Sequence, residues 1–186
     1  RTDVGAQLSA DISQIEASAR YAPAEMVVER EGVATHEPDF AWADPNLFDL
    51  LRLRAVAGDP STALSTPDGL VLTRSLARKH FGTDAPIGQT LVLRTTVPRS
   101  DQLGEPMLFR VRAVVEDWPQ DSSFRVQGFA SGRRVGDPPV AEAFGNIVLT
   151  FVRLRDAALA DEARARLPGF VQRRIPTVPL MGHRIA

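Results

Sequence analysis

Gly82 and Gly88 close the two ends of a short loop, Gly82-Thr83-Asp84-Ala85-Pro86-Ile87-Gly88, and glycines so placed suggest a phosphate cradle. Such a cradle also needs N–H groups at a helix N-terminus, with a lysine and a hydroxyl after the last glycine. Gly88 is followed by Gln89-Thr90 and a strand pattern, and Asp84 would repel the anion, so the loop reads as a turn. Hydrolysis by a nucleophilic serine needs a tight elbow and a histidine base. No G-x-S-x-G occurs, and Ser75 and His80 sit on one predicted helix at a spacing that turns them apart. His80 therefore reads as a solvated helix histidine. His36, Glu37 and Asp39, with His183, could offer metal ligands, but catalytic zinc takes several histidines at fixed spacing on rigid elements. Asp39, Asp44 and Asp49 lie close in sequence, yet Asp44 is expected to cap a helix. Arg110 and Arg112 share a strand face with Glu116, which reads as a solvated face and not as a nucleic-acid surface. No catalytic, cofactor or metal residue is assigned on these grounds.

Composition narrows the remaining classes. The chain has 186 residues, of which 44% are hydrophobic and 24% charged, as a globular protein requires. Net charge is −1, so nothing pulls the whole chain toward nucleic acid or an anionic membrane. There is no cysteine, which excludes disulfides, thiolate metal sites and cysteine nucleophiles. The first residue is Arg1, which suggests an excised or processed piece. No apolar run reaches the ~18 residues of a membrane span.

The elements that must carry these residues follow from period and punctuation. Val4, Leu8, Ile12, Ile15 and Ala19 fit one narrow helical face, predicting a helix over 4–19. Met26–Arg30 and Val33–Trp42 read as strands joined by a Glu31-Gly32 turn. Asp44-Pro45 should start a short helix holding Leu47, Phe48, Leu50 and Leu51. Turns are expected at Gly58-Asp59-Pro60 and Thr66–Gly69, with a one-turn helix at Ala63-Leu64 and a strand at 70–72. Thr73 should cap a helix over 74–81 that Gly82 ends. Strands follow at 90–94 and 109–115, the second showing the clearest alternation in the chain, with a polar hairpin loop at 96–105. Further strands are expected at 124–129, at 146–154 (apolar on both faces, so central) and at 178–181. An exposed loop is expected over 131–139, and Asp156 should cap a helix through Leu167 that Pro168-Gly169 kinks or stops. Ala160, Ala163 and Leu167 would face inward on it. Trp42 and Trp118 bracket the middle of the chain and read as packing residues. The order suits an α+β protein of two lobes: one from residues 1–45 and 120–186, the other from 46–119.

The central stretch also resembles a known family. Trp42-Ala43-Asp44-Pro45-Asn46-Leu47-Phe48-Asp49, Ala57-Gly58-Asp59-Pro60, Leu70–Gly82, Ala85-Pro86-Ile87-Gly88-Gln89-Thr90-Leu91 and Phe109–Pro119 resemble, in order and gaps, the periplasmic core domain of MacB-like, FtsX-type ABC transporter permeases. Leu180-Met181-Gly182-His183-Arg184-Ile185 is similar to a segment near the end of such domains, while Ala113 stands where they often have glycine. The resemblance implies a non-enzymatic domain on the periplasmic side of the bacterial inner membrane. It implies a porter-like lobe built from both chain ends and an inserted sabre-like lobe, with the helix at 4–19 continuing from a membrane helix. Implied partners are a cytoplasmic ABC ATPase, a periplasmic adaptor or substrate protein and a second copy of the permease, with no cofactor and no nucleic acid. A periplasmic ligand-binding or sensor module is the alternative, followed by an unrecognised hydrolase.

Overall fold

Glu31 and Gly32 reverse the chain with φ of 51° and 80°, the two positive values of a type I′ hairpin. That turn joins β1 (Ile15–Arg30) to β2 (Val33–Ala43), paired from Arg30↔Val33 back to Tyr21↔Ala43 with one irregularity between Ala24 and Met26. The computed structural model describes residues 4–96, 102–132 and 148–174. The expected strand at 178–181, half of the loop at 96–105 and most of the loop at 131–139 lie outside those residues.

The pairings lead from β2 around and back to β1. β2 runs parallel to β7 (Gly128–Ser131), β7 antiparallel to β4 (Gly69–Thr73), and β4 parallel to β6 (Met107–Val115). β6 is antiparallel to β5 (Thr90–Thr95), and β5 to β1 over Met26–Glu29. Six strands therefore close into a ring. β3 (Ala55–Gly58) adds to the far half of β6, and β8 (Leu149–Leu154) neighbours β1.

Side-chain alternation sorts the strands into an inside and an outside. Met26, Val28, Phe40, Trp42, Leu70, Leu72, Leu91, Leu93, Phe109, Val111, Val114 and Ala130 form one buried cluster to which all six strands contribute. It fills the ring, and Leu76 and Ala77 of α4 (Arg74–Phe81) join it. A second cluster lies on the outer faces of the other residues, Ala41, Val71, Ala113, Val115 and Phe129 among them. Leu47 and Phe48 of α2 (Leu47–Leu51) and Ala63 of α3 (Pro60–Ala63) cover it. Trp42 is an interior residue, its ring 5.7 Å from Phe109. Trp118 packs outside against Phe124 at 4.6 Å and donates its indole N–H to the Val126 carbonyl.

Several expectations hold in detail. Thr73 caps α4 by accepting from the Leu76 N–H, and Gly82 ends it at φ 69°. The short helix expected at Ala63-Leu64 starts earlier, at Pro60, where Asp59 of the expected turn caps it.

Others are corrected. α1 spans only Val4–Asp11, and the Ile12 and Ile15 N–H groups bond back to Leu8 and Ile12 as the chain leaves it for β1. The helical spacing misled because Leu8, Ile12 and Ile15 do share one buried cluster, reached through a turn instead of a continuous helix. In β6 the inward set shifts from Phe109 and Val111 to Val114, because the register with β4 slips between Val111 and Ala113. β8 is not doubly buried: it ends the strand order, and Leu149 and Val152 are 44% and 41% exposed. The 124–129 strand reduces to Gly128–Ser131. The last helix, α5, runs Ala160–Arg174 through Pro168, with Ala163 and Phe170 buried and Leu167 exposed; Asp156 caps the 3-10 turn before it.

Ala19–Phe151 form one compact unit, and the described residues of Thr2–Ser18 and Val152–Ala186 form another.

Candidate functional site

β2 places Glu37 opposite Met26, on the inward side of the hairpin, with its side chain 8% exposed. A buried carboxylate needs compensation, and α4 supplies it. Lys79 Nζ lies 2.8 Å from Glu37 Oε1 and His80 Nε2 also 2.8 Å from it. Arg30 donates to the His80 carbonyl, and its guanidinium sits 4.5 Å over the Phe81 ring. The end of α4 is thus fastened to the hairpin by four neighbouring groups. The His80 side chain is only 7% exposed, which overturns the solvated-histidine expectation.

Burial is the largest influence on His80 and holds its imidazole below the usual 6.5, with Lys79 and Arg30 adding to it and Glu37 opposing. The unfolded chain accordingly binds a proton at His80 before the folded chain does. Stability is full above about pH 6.5 and falls as pH drops from there toward the folded-state value. The urea midpoint should decrease from about pH 7.5 to about pH 5.5, and His80→Gln should reduce that decrease. An equal decrease in both proteins would remove His80 as its source.

The other candidates are dispersed. His36 points to the opposite side of β2 from Glu37 and pairs with Glu25 at 3.2 Å. Asp39 holds Gln127 through backbone and side chain. His183 lies outside the described residues, among which no group of three His, Asp or Glu could hold a metal ion. Asp49 is exposed on α2. Asp44 does not cap α2 with its carboxylate. Oδ2 accepts from Arg20 Nε at 2.8 Å and Oδ1 from Arg20 Nη2 at 3.0 Å, a bidentate pair inside the fold.

The glycine loop offers no cradle. The Gly82 N–H bonds to the Arg78 carbonyl and the Gly88 N–H to the Val111 carbonyl. Asp84 is held by Arg78 and lies 3.6 Å from Arg74. Ser75 donates its hydroxyl to Asp117 at 2.9 Å, on a different partner from His80. Arg110 and Arg112 both reach Asp68, at 3.7 and 3.3 Å, and Glu116 takes Arg74 at 2.8 Å. These polar groups fasten one element to another, and no two of them converge on a shared space as a nucleophile and its base would.

Sequence reasoning missed Glu37–His80 and Arg20–Asp44. The alternation set by Phe40 and Trp42 would put Glu37 on the outer face; the irregularity opposite Ala24–Met26 turns it inward, and no local pattern signals that.

A family model described as the MacB-like periplasmic core domain matches residues 2–169. No curated protein gives a match. A permease-protein domain from Porphyromonas gingivalis is 22% identical, with 91% of this chain and 75% of that one aligned at a TM-score of 0.64. The periplasmic region of MacB from Actinobacillus actinomycetemcomitans is 14% identical over 90% and 74%, with a TM-score of 0.58. The extracellular domain of the ABC-type transporter YknZ from Gram-positive bacteria is 14% identical over 87% and 80%, with a TM-score of 0.53. At these identities the three structures establish a shared fold.

Proposed function

Since the chain belongs to the family of MacB-like periplasmic core domains, we propose that it passes ATP-driven movement of the permease's membrane helices to a substrate outside the inner membrane. Export or release of that substrate is the outcome. The observation that carries this reading is the second compact unit, in which α1 from one chain end and α5 from the other fold together. In a domain inserted between two membrane helices, such a unit receives displacement from both. The fastened polar groups favour the same reading, because each joins two elements of the fold.

ATP hydrolysis then belongs to a cytoplasmic ABC ATPase, and the chain itself performs no reaction. A periplasmic adaptor or substrate protein and a second permease copy are the other proposed partners. The two lobes, residues 1–45 with 120–186 and the inserted 46–119, remain part of the proposal. Cryo-electron microscopy of the permease in nucleotide-free and nucleotide-bound states would test them, and an unchanged relation between the two in both states would remove them.

The functional test is reconstitution of the parent permease with its ATPase in proteoliposomes. Replacing residues 19–151 with a short Gly/Ser linker should leave ATP hydrolysis in place and abolish export. Export by the shortened permease would sink the reading.

A further inference from the structure

The joint between the chain's two ends is built in two halves of unequal strength. Leu8 and Ile12 with Ile15 of β1 pack on Ala163 and Phe170 of α5. Buried Gln14 donates from Nε2 to Glu162 at 2.6 Å. Arg155 returns to the same turn, its N–H to the Gln14 carbonyl and its Nε to the Ser13 carbonyl. Phe170 apart, these contacts anchor the segment entering α5 and its first half.

The second half begins at a weak point. Pro168 lies inside α5 and has no N–H to give the Arg164 carbonyl, and Gly169 follows it. Such a step is where a helix bends. Past it, Phe170 is buried, but Val171 is 46% exposed. Asp11 holds the last turn from outside. Its Oδ1 accepts from Arg174 Nη2 at 2.8 Å, and Oδ2 accepts from Arg174 Nε at 3.1 Å and Arg173 Nη2 at 3.5 Å. The Asp11 side chain is 12% exposed, and the hydrogen bond from Arg174 leads the influences that keep its carboxyl below the ordinary range. An acidic residue closing a helix opposes that helix's own dipole, so Asp11 stands where only its cations favour it. The two arginines, at the carbonyl end of α5, stand where the dipole does favour them.

We infer that Asp11 is a positioning residue for transmission: it clamps the last turn of α5 to α1 across the Pro168-Gly169 step, so that displacement received at the two chain ends is passed on jointly. The inference rests on the transporter reading above. Without the clamp the last turn yields and the displacement is lost in bending α5.

The chain has no cysteine, so Asp11→Cys with Arg174→Cys introduces its sole thiols, which a short bis-maleimide can bridge. In the chain alone, Asp11→Ala should speed amide exchange at residues 170–174 several-fold and leave residues 74–81 unchanged. Bridging the cysteine pair should slow exchange at 170–174 again. In the reconstituted permease, Asp11→Ala should hydrolyse ATP at the parent rate and export several-fold less. The bridged pair should regain export and the unbridged pair should not. Unchanged exchange, normal export by Asp11→Ala, or a bridge without effect on export each overturns the clamp. A parent permease that exports nothing overturns the transporter reading, and the transmission role with it, while the exchange result stands apart.

Discussion

Gly128→Val is expected to lower the melting temperature sharply. Gly128 pairs with Phe40 across β7 and β2, both facing into the ring. A Cβ on Gly128 would lie 2.4 Å from two atoms of the Phe40 ring and 2.7 Å from a third. Phe40 is 1% exposed and packed in the same cluster as Trp42 and Met26, so its ring has no open space to turn into. Overpacking by single methylenes costs about 1–3 kcal/mol, and valine adds three carbons at the point of closest approach. A cost of about 3 kcal/mol or more corresponds to a melting temperature lower by about 6–12 °C for a chain of this size. Calorimetry measures it. Gly128→Ala combined with Phe40→Leu should recover much of the loss, because the smaller side chain vacates the space. A Gly128→Val protein melting with the parent would show that residue 128 does not face the interior.

Asp44→Ala is the second large effect. Arg20 and Asp44 make two side-chain bonds, and two more join the Arg20 N–H to Oδ2 and the Asp44 N–H to the Arg20 carbonyl, each at 2.9 Å. The side chains are 7% and 17% exposed. Removing the carboxylate takes the bidentate partner from a guanidinium held out of water, which costs about 3–5 kcal/mol. Exposed pairs lose only about 0–1 kcal/mol on the same treatment, so the magnitude separates the two cases. Urea unfolding of Asp44→Ala, Arg20→Met and the double variant Arg20→Met/Asp44→Leu provides the measurement. The double variant should be more stable than Asp44→Ala, since it buries no charge. A loss below about 1 kcal/mol in Asp44→Ala would place the pair among solvated surface contacts.

The parts of this fold legible in the sequence are those whose cause is local. Thr73 and Gly82 mark the ends of α4 because the cap and the left-handed residue act within one turn of themselves. Glu31-Gly32 reads as a turn for the same reason. The elements misread depend on distant partners. Helix 4–19 fails after Asp11 because Gln14 is drawn to Glu162 and the following residues become a strand. Leu149 and Val152 look doubly buried by composition, but burial depends on what covers β8, and its own sequence does not state that. Pro168 did not stop α5, since Phe170 beyond it has a core position to fill.

Candidate residues divide in the same way. That Gly82–Gly88 is a turn and that Ser75 and His80 face apart could be read from spacing alone. The burial of His80 and the partner of Asp44 could not, because Glu37 and Arg20 reach them from 43 and 24 residues away. The ring itself was invisible for that reason: its closure joins β1 to β5 and β2 to β7, and no local pattern encodes either pairing.

Ring closure has a mechanical consequence. A strand at the border of an open sheet can be peeled off one hydrogen bond at a time. Each of the six strands here is held on both sides over part of its length, so pulling one along its axis loads two ladders together. The side chains inside leave the tube little room to flatten. A body of this kind resists deformation as a whole.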